Sequence, residues 1–239
     1  MAKRAYNIHL ITASDLANLS MPEKIVYQTV SQIAQSHSIT MPEVGIYESP
    51  EVNAFATGAT RNSSLVAVSS GLLHTMKSDE IEGVVAHEMA HILNGDMVTM
   101  TLLQGVVNAF VIFLSRAIAQ IVSSAMRRDE EGSNGLVYFL VTIILEIAFG
   151  ILGSLVVMAY SRRREFAADA GSGQFVGKNK MINALRALQK IHDTNTSIPT
   201  DPKLATLKID GKTSGFLHLF ASHPSLEDRI QALMIQSHI

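Results

Sequence analysis

The stretch VVAHEMAHILNGD, from Val84 to Asp96, sets two histidines four residues apart with a glutamate directly after the first. Residues four apart stand one above the other on the same face of an α-helix. His87 and His91 could therefore offer two imidazole nitrogens to a single metal ion. Glu88 lies about 100° further round in helical projection, where a long carboxylate can reach a water on the open side of that ion. A catalytic zinc lowers the pKa of such a water to about 7, and the carboxylate takes the proton as the water attacks a carbonyl. The small residues Ala86 and Ala90 leave room for this. Two helical histidines that merely share a face remain the alternative at this point. The chain has no cysteine, so disulfides and thiolate ligands are excluded and any ion must be held by His, Asp or Glu.

A catalytic zinc keeps three protein ligands and one open position, so a third ligand is needed on another element. Glu165 and Asp169, in REFAADA, are four apart and share a helix face. Glu165 is the better candidate for the metal, and Asp169 would orient one histidine from behind. The competing reading is a solvated acidic face that balances Arg162, Arg163 and Arg164.

The elements that must bring these residues together are legible in the hydropathy. From Met97 to Met126 the only formal charge is Arg116, and from Leu136 to Tyr160 it is Glu146. Each block exceeds the roughly 20 residues needed to cross a hydrocarbon core. The connector RRDEEGSNG, Arg127 to Gly135, is polar and glycine-bearing, as a helix-hairpin turn should be. A membrane hairpin of this kind returns the chain to the side it left and carries Glu165 and Asp169 back towards the histidines. Three segments follow: 1–96 with the histidine helix, 97–160 as a transmembrane hairpin, and 161–239 with the third ligand.

Before the hairpin the pattern is that of a soluble domain. A helical stripe over Glu23 to His37 follows a Pro22 start. VGIYES reads as a short strand, and NAFATG and SLVAVS flank a turn at Gly58 to Ser63, as in a β-hairpin. Ser78 is the expected N-cap of the histidine helix, with Asp79 and Glu80 in its first turn, where negative charge suits the helix dipole. After the hairpin, SRRREFAADAGSGQFVG prolongs the second span, Lys180 to His192 is amphipathic, Asp193 to Thr213 is loop-like, and HPSLEDRIQALM from His223 is a capped final helix. No signal peptide is visible in MAKRAYNIHL, which lacks a sustained apolar run. With 19 basic and 21 acidic residues and a net charge of -2, no basic face for nucleic acid is expected.

Taken in order, AHEMAHILNGDMVTMTLLQGVVNAFVIF, SRRREFAADA and SHPSLEDRI resemble the HtpX-type membrane zinc metalloproteases, relatives of the CaaX prenyl endopeptidases, over about Ala34 to Met234. The resemblance implies an α+β fold: a mainly helical, zincin-like metalloprotease domain with a small β-sheet, interrupted by a two-helix transmembrane hairpin. It implies one zinc per chain held by His87, His91 and Glu165, with Glu88 as general base and Asp169 behind the ligands. His223 and Arg229 would stabilise the tetrahedral oxyanion. NAFATG resembles the family's active-site edge strand, making Asn53 and Ala54 substrate-binding through backbone hydrogen bonds. Members usually carry two hydrophobic spans ahead of the soluble part, and no such run precedes it here. The resemblance therefore implies either spans preceding this segment or a shortened form.

Arg162 to Arg164 at the catalytic end, against Arg127 and Arg128 in the connector, favour a cytoplasmic catalytic side. The resemblance points the same way, to a bacterial inner or plasma membrane. His91 lies seven residues before Val98, about 10 Å along a continuous helix, which puts the metal near the bilayer surface. Expected partners are the lipid bilayer, polypeptide substrates that include membrane proteins, and other membrane quality-control proteases. The implied role is quality control under stress. Two rivals stand beside this: processing of a lipidated tail, with the same site residues, and a transport or scaffold protein using Arg116 and Glu146. An ion path would call for more intramembrane polar groups than two.

Overall fold

The computed structural model describes residues 7–125, 134–196 and 224–235. Those residues divide into two units: one takes the chain up to Val98 and from Arg163 onward, the other Thr99–Arg162. The architecture is α+β, mainly helical with one small mixed sheet.

The first unit holds four strands, β1 (His9–Ile11), β2 (Glu43–Tyr47), β3 (Ala54–Thr60) and β4 (Ser63–Ser69), in the order β1-β2-β4-β3. β2 and β4 are parallel, and the other pairs antiparallel. The three-residue β1 is too short to show an alternating pattern, which is why the sequence did not announce it. The β3–β4 turn is tighter than expected, because β3 runs on to Thr60 through an irregularity at Gly58. A Cβ at Gly58 would fall 2.2 Å from the Ser63 carbonyl oxygen, so only glycine admits that approach. Leu65, Val66, Ala67 and Val68 are all buried, as befits a central strand covered on both faces.

Helix α1 (Met21–Ser36) starts where Pro22 predicts, and the Ser20 amide donates to the Glu23 carboxylate at 2.7 Å. Its stripe of Val26, Val30, Ile33 and Ala34 is buried in the main core, each large side chain contributing about 1.5–3 kcal/mol. After the short α2 (Ser70–Thr75), the histidine helix α3 runs Ser78–Asn94. Ser78 is not its N-cap: Lys77 holds that place, and its amide donates to Glu80 at 2.8 Å. The cap is thus supplied from the first turn backwards, by a carboxylate that also favours the dipole.

Two apolar helices follow, α4 (Asp96–Ala125) and α5 (Asn134–Ser172). Both contain windows long and apolar enough to cross a membrane, and none of those windows is buried in protein. Leu102, Phe110, Phe113, Phe139 and Ile147 are among their exposed side chains. Water would penalise such a surface, whereas hydrocarbon accepts it, and a helix satisfies its own backbone there. Within this unit Gly153 lies so close to Val107 that a Cβ would meet its Cγ1 at 2.6 Å. Most of the connector Arg127 to Gly135 lies outside the described residues.

α5 ends at Ser172 in a π-turn, Gly173–Gly177, rather than running unbroken through Gly177. Helix α6 (Lys178–Thr196) is longer than its amphipathic core, so Asp193–Thr196 is helical where a loop was expected; residues 197–213 lie outside the described residues. The last helix, α7 (Leu226–Ile235), is capped by Ser225, whose hydroxyl accepts the Asp228 amide at 3.1 Å. Ile230 and Leu233 pack on Met181, Ile182 and Leu185 of α6.

Candidate metal centre

Small residues let two helices of the first unit, the end of α5 and α6, approach α3 closely. A Cβ at Gly83 would come within 2.7 Å of the Lys180 carbonyl oxygen. One at Gly171 would meet the Ala90 Cβ at 2.9 Å. The Ser172 hydroxyl donates to the Gly83 carbonyl at 2.9 Å. This contact sets the end of α5, with Glu165 and Asp169, against the histidine face of α3.

On α3, His87 Nε2 and His91 Nε2 lie 3.1 Å apart. Glu165 closes the triangle, Oε2 3.6 Å from His87 Nε2 and Oε1 3.5 Å from His91 Nε2. The edges of a tetrahedron with zinc–ligand bonds of 2.0–2.1 Å are roughly 3.3–3.4 Å, so each of these pairs is close to the spacing of a zinc site, with one Glu165 oxygen facing each histidine. Among the described residues these three form the one His/Asp/Glu group placed to share an ion.

The outer nitrogens each face a carboxylate as well, that of His91 in a hydrogen bond and that of His87 in a charge contact. His87 Nδ1 stands 2.9 Å from Asp169 Oδ1, and His91 Nδ1 stands 2.6 Å from Asp96 Oδ2. A proton on each Nδ1 leaves both Nε2 lone pairs facing each other and Glu165, an arrangement that a cation reconciles. Charge leads to the same requirement. Glu88, Glu165, Asp169 and Asp96 are four carboxylates, while Arg164 and Arg229 are the arginines that reach them. Two negative charges are left over, which suits a divalent ion. Without one, burial opposes a charge on His87, but the Asp169 and Glu165 carboxylates outweigh it and push its pKa up to about 9. The residues therefore fit zinc.

Arg229 binds Asp169 through two parallel bonds, Nε to Oδ2 at 2.7 Å and Nη2 to Oδ1 at 2.6 Å. Burial works against the Asp169 charge, yet Arg229 and His87 overcome it and hold the carboxyl below its ordinary range. Arg229, expected at the oxyanion, is thus engaged behind the ligands, with Nη1 3.7 Å from Glu165 Oε2. His223 lies outside the described residues.

Glu88 is half-buried beside the triangle, and loss of solvent raises its pKa despite the neighbouring histidines and a hydrogen bond from the Ala56 amide. That amide belongs to β3, at the edge of the sheet. Asn53 spends its main chain on β4: its amide donates to the Ser69 hydroxyl at 3.1 Å and its carbonyl accepts the Ser69 amide at 2.9 Å. In an antiparallel pair the main-chain groups alternate in direction, so those of Ala54 and Ala56 face away from β4. The outward backbone is therefore that of Ala54 and Ala56, and Asn53 has its side chain to offer.

Sequence reasoning missed Asp96 and Arg164. Asp96 is five residues beyond His91, which on a continuous helix is about 140° round from it. The helix is not continuous. Gly95, at φ 70°, terminates α3, and Asp96 opens α4. For the same reason the path from His91 to Val98 is not one straight helix.

The family description "Peptidase family M48" matches residues 20–236. The chain belongs to peptidase family M48. It is 53% identical to Protease HtpX of Tolumonas auensis over 98% of this chain and 78% of that protein. It is 57% identical to Protease HtpX of Glaesserella parasuis over 88% and 73%, and 50% identical to a Protease HtpX homolog of Methylacidiphilum infernorum over 98% and 77%. In fold it is similar to the crystal structure of S. mikatae Ste24p, with a TM-score of 0.62 at 18% identity; it spans 97% of this chain and about half, 52%, of that one. This M48 member is a membrane metallopeptidase, with the α+β fold that the sequence implied.

Proposed function

We propose that this chain is an integral-membrane zinc endopeptidase that cuts membrane or misfolded proteins at the cytoplasmic face, in quality control under stress. The observation that carries the reading is the triangle of His87, His91 and Glu165 with Glu88 beside it. His87, His91 and Glu165 hold one zinc per chain, which when bound supplies a Lewis acid that acidifies water and polarises a carbonyl. Glu88 takes the proton at its carboxylate and passes it to the leaving amine. Burial raises its pKa, the direction that suits a general base.

Asp169 keeps the His87 ring oriented, and Arg229 holds Asp169 by its bidentate grip. The family resemblance assigns His223 and Arg229 to the oxyanion; the Arg229 contacts support a holding role for its Nε and Nη2 and leave Nη1, towards Glu165, for that task. An extended substrate pairs with the outward backbone of Ala54 and the outward carbonyl of Ala56, whose amide serves Glu88, assisted by the Asn53 side chain. The cytoplasmic placement rests on Arg162 to Arg164.

The test uses the full chain in detergent or liposomes. Glu88→Gln should retain stoichiometric zinc and lower cleavage of an unfolded model protein by at least about 100-fold. His87→Ala should lose the zinc. Normal cleavage by Glu88→Gln, or unchanged zinc in His87→Ala, would refute the assignment. A prenylated peptide assayed in parallel separates general proteolysis from processing of a lipidated tail.

A further inference from the structure

The two imidazoles of the triangle are each backed by a carboxylate, but the carboxylates arrive by different routes. Asp169 comes from the far helix α5. Asp96 comes from the residue that opens α4, five positions past His91, and its carboxylate oxygen stands 2.6 Å from His91 Nδ1. Asp96 is 4% exposed. A buried carboxylate is tolerated only where it is paired, and here its partners are His91 and, at 3.9 Å, the Arg164 guanidinium.

We propose that Asp96 is a positioning residue for the metal centre: it fixes the tautomer and ring orientation of His91, and the left-handed Gly95 is the device that delivers it. The inference rests on the metallopeptidase reading of the triangle. With Nδ1–H donated to Asp96, the Nε2 lone pair of His91 faces His87 Nε2 and Glu165 Oε1, where a zinc ligand must face. An anionic partner also makes the imidazole a stronger donor to a metal. Helical periodicity alone would turn Asp96 away from His91. Gly95 reverses this. At φ 70° and ψ 29° it closes α3, its amide bonding the Ile92 carbonyl at 3.1 Å, and a new helix starts with Asp96 at its first residue. Arg164 joins the two halves of the site, its guanidinium 3.9 Å from Asp96 Oδ2 and 3.6 Å from Glu165 Oε1. His91, Asp96, Arg164 and Glu165 form one largely buried chain of polar contacts around the ligands.

An aspartate at a helix start could instead serve only the helix, as a cap with favourable charge. Three substitutions separate the roles. Asp96→Ala removes both. Asp96→Ser keeps a capping oxygen but is too short to hold His91. Asp96→Asn keeps the shape and an acceptor and removes the charge. The readouts are zinc affinity by competition with a chromophoric chelator and the visible spectrum of the cobalt(II)-substituted full chain, with circular dichroism to confirm folding. Asp96→Ala and Asp96→Ser should both bind zinc about 10- to 100-fold more weakly, with an altered cobalt spectrum, and Asp96→Asn should fall between them and wild type. Wild-type affinity and spectrum in Asp96→Ser would overturn the proposal and leave Asp96 a helix cap. Should Asp96→Ala and Asp96→Ser fail to fold, Asp96→Leu, which keeps the branched shape but offers no acceptor, decides in their place, and an unchanged affinity and spectrum there would overturn it too. A wild type that takes up no metal would refute the metallopeptidase reading itself, which distinguishes the two failures.

Discussion

The two units invert each other's rules. Around the histidines, charge is buried: Glu165, Asp169, Asp96 and Arg229 all lie inside, each within reach of a partner of opposite sign. Along α4 and α5 it is apolar surface that is exposed, with Phe113 at 68% and Leu136 at 64%. The first is tolerable because arginines and histidines surround the carboxylates and a divalent ion would balance the excess; the second is tolerable in lipid. Removing a charge should therefore be costly in the first region and adding one costly in the second.

The largest effect is expected where a buried charge loses its partner. Arg229→Met strands Asp169 and should cost about 3–5 kcal/mol, read as a lower thermal midpoint in detergent. A variant as stable as wild type would show that water replaces the guanidinium and that the site is wetter than its burial indicates. The converse change places a charge on the apolar unit. Phe113→Arg should raise the free energy of membrane insertion by about 2.5–3.5 kcal/mol, measured as the fraction recovered in membranes. Unimpaired insertion would mean that Phe113 does not face hydrocarbon.

The comparison sharpens with pH. In metal-free protein His87 has its pKa pushed up to about 9, so its protonated form is favoured by folding. A group raised in the folded state contributes stability that is complete below its unfolded value of about 6.5 and is lost as pH rises through 9. Zinc must displace that proton. Its affinity should accordingly climb about tenfold per pH unit across this window, with one proton released per ion, as titration in buffers of different ionisation enthalpy will measure. No proton release would place the charge elsewhere in the cluster. The smallest effect belongs to the surface. Lys180 reaches Glu82 at 2.7 Å and Asp79 at 3.6 Å, tying α6 to α3, but it is partly exposed. Lys180→Ala should cost less than about 1 kcal/mol in urea unfolding, and less still in high salt.

Much of this site was legible in the residues. His87 and His91 needed only the helical period, and the apolar blocks needed only their length. Glu165 and Asp169 could be picked out because they too are four apart, on a helix continuing from the second block. What the residues did not disclose was of another kind. Ser78 is a good N-cap type, yet Lys77 takes the position because Glu80 reaches back to its amide. Arg229 carries the right charge for an oxyanion, but no spacing rule could reveal that Asp169, sixty residues away, holds two of its nitrogens. Asn53 stands at the right strand, but the register commits its main chain to Ser69.

What the amino-acid sequence determined by itself is whatever follows from local periodicity: which side chains share a helix face, which helices are too apolar for water, and which residue types can bind zinc. Which carboxylate stands behind which histidine was decided only by tertiary structure. That choice depends on one backbone angle at Gly95, which turns Asp96 back to His91, and on the close approach at Gly83 and Gly171, which sets Asp169 beside His87. A single left-handed residue breaks the period on which every local inference rests, and a contact between distant backbones leaves no period to read.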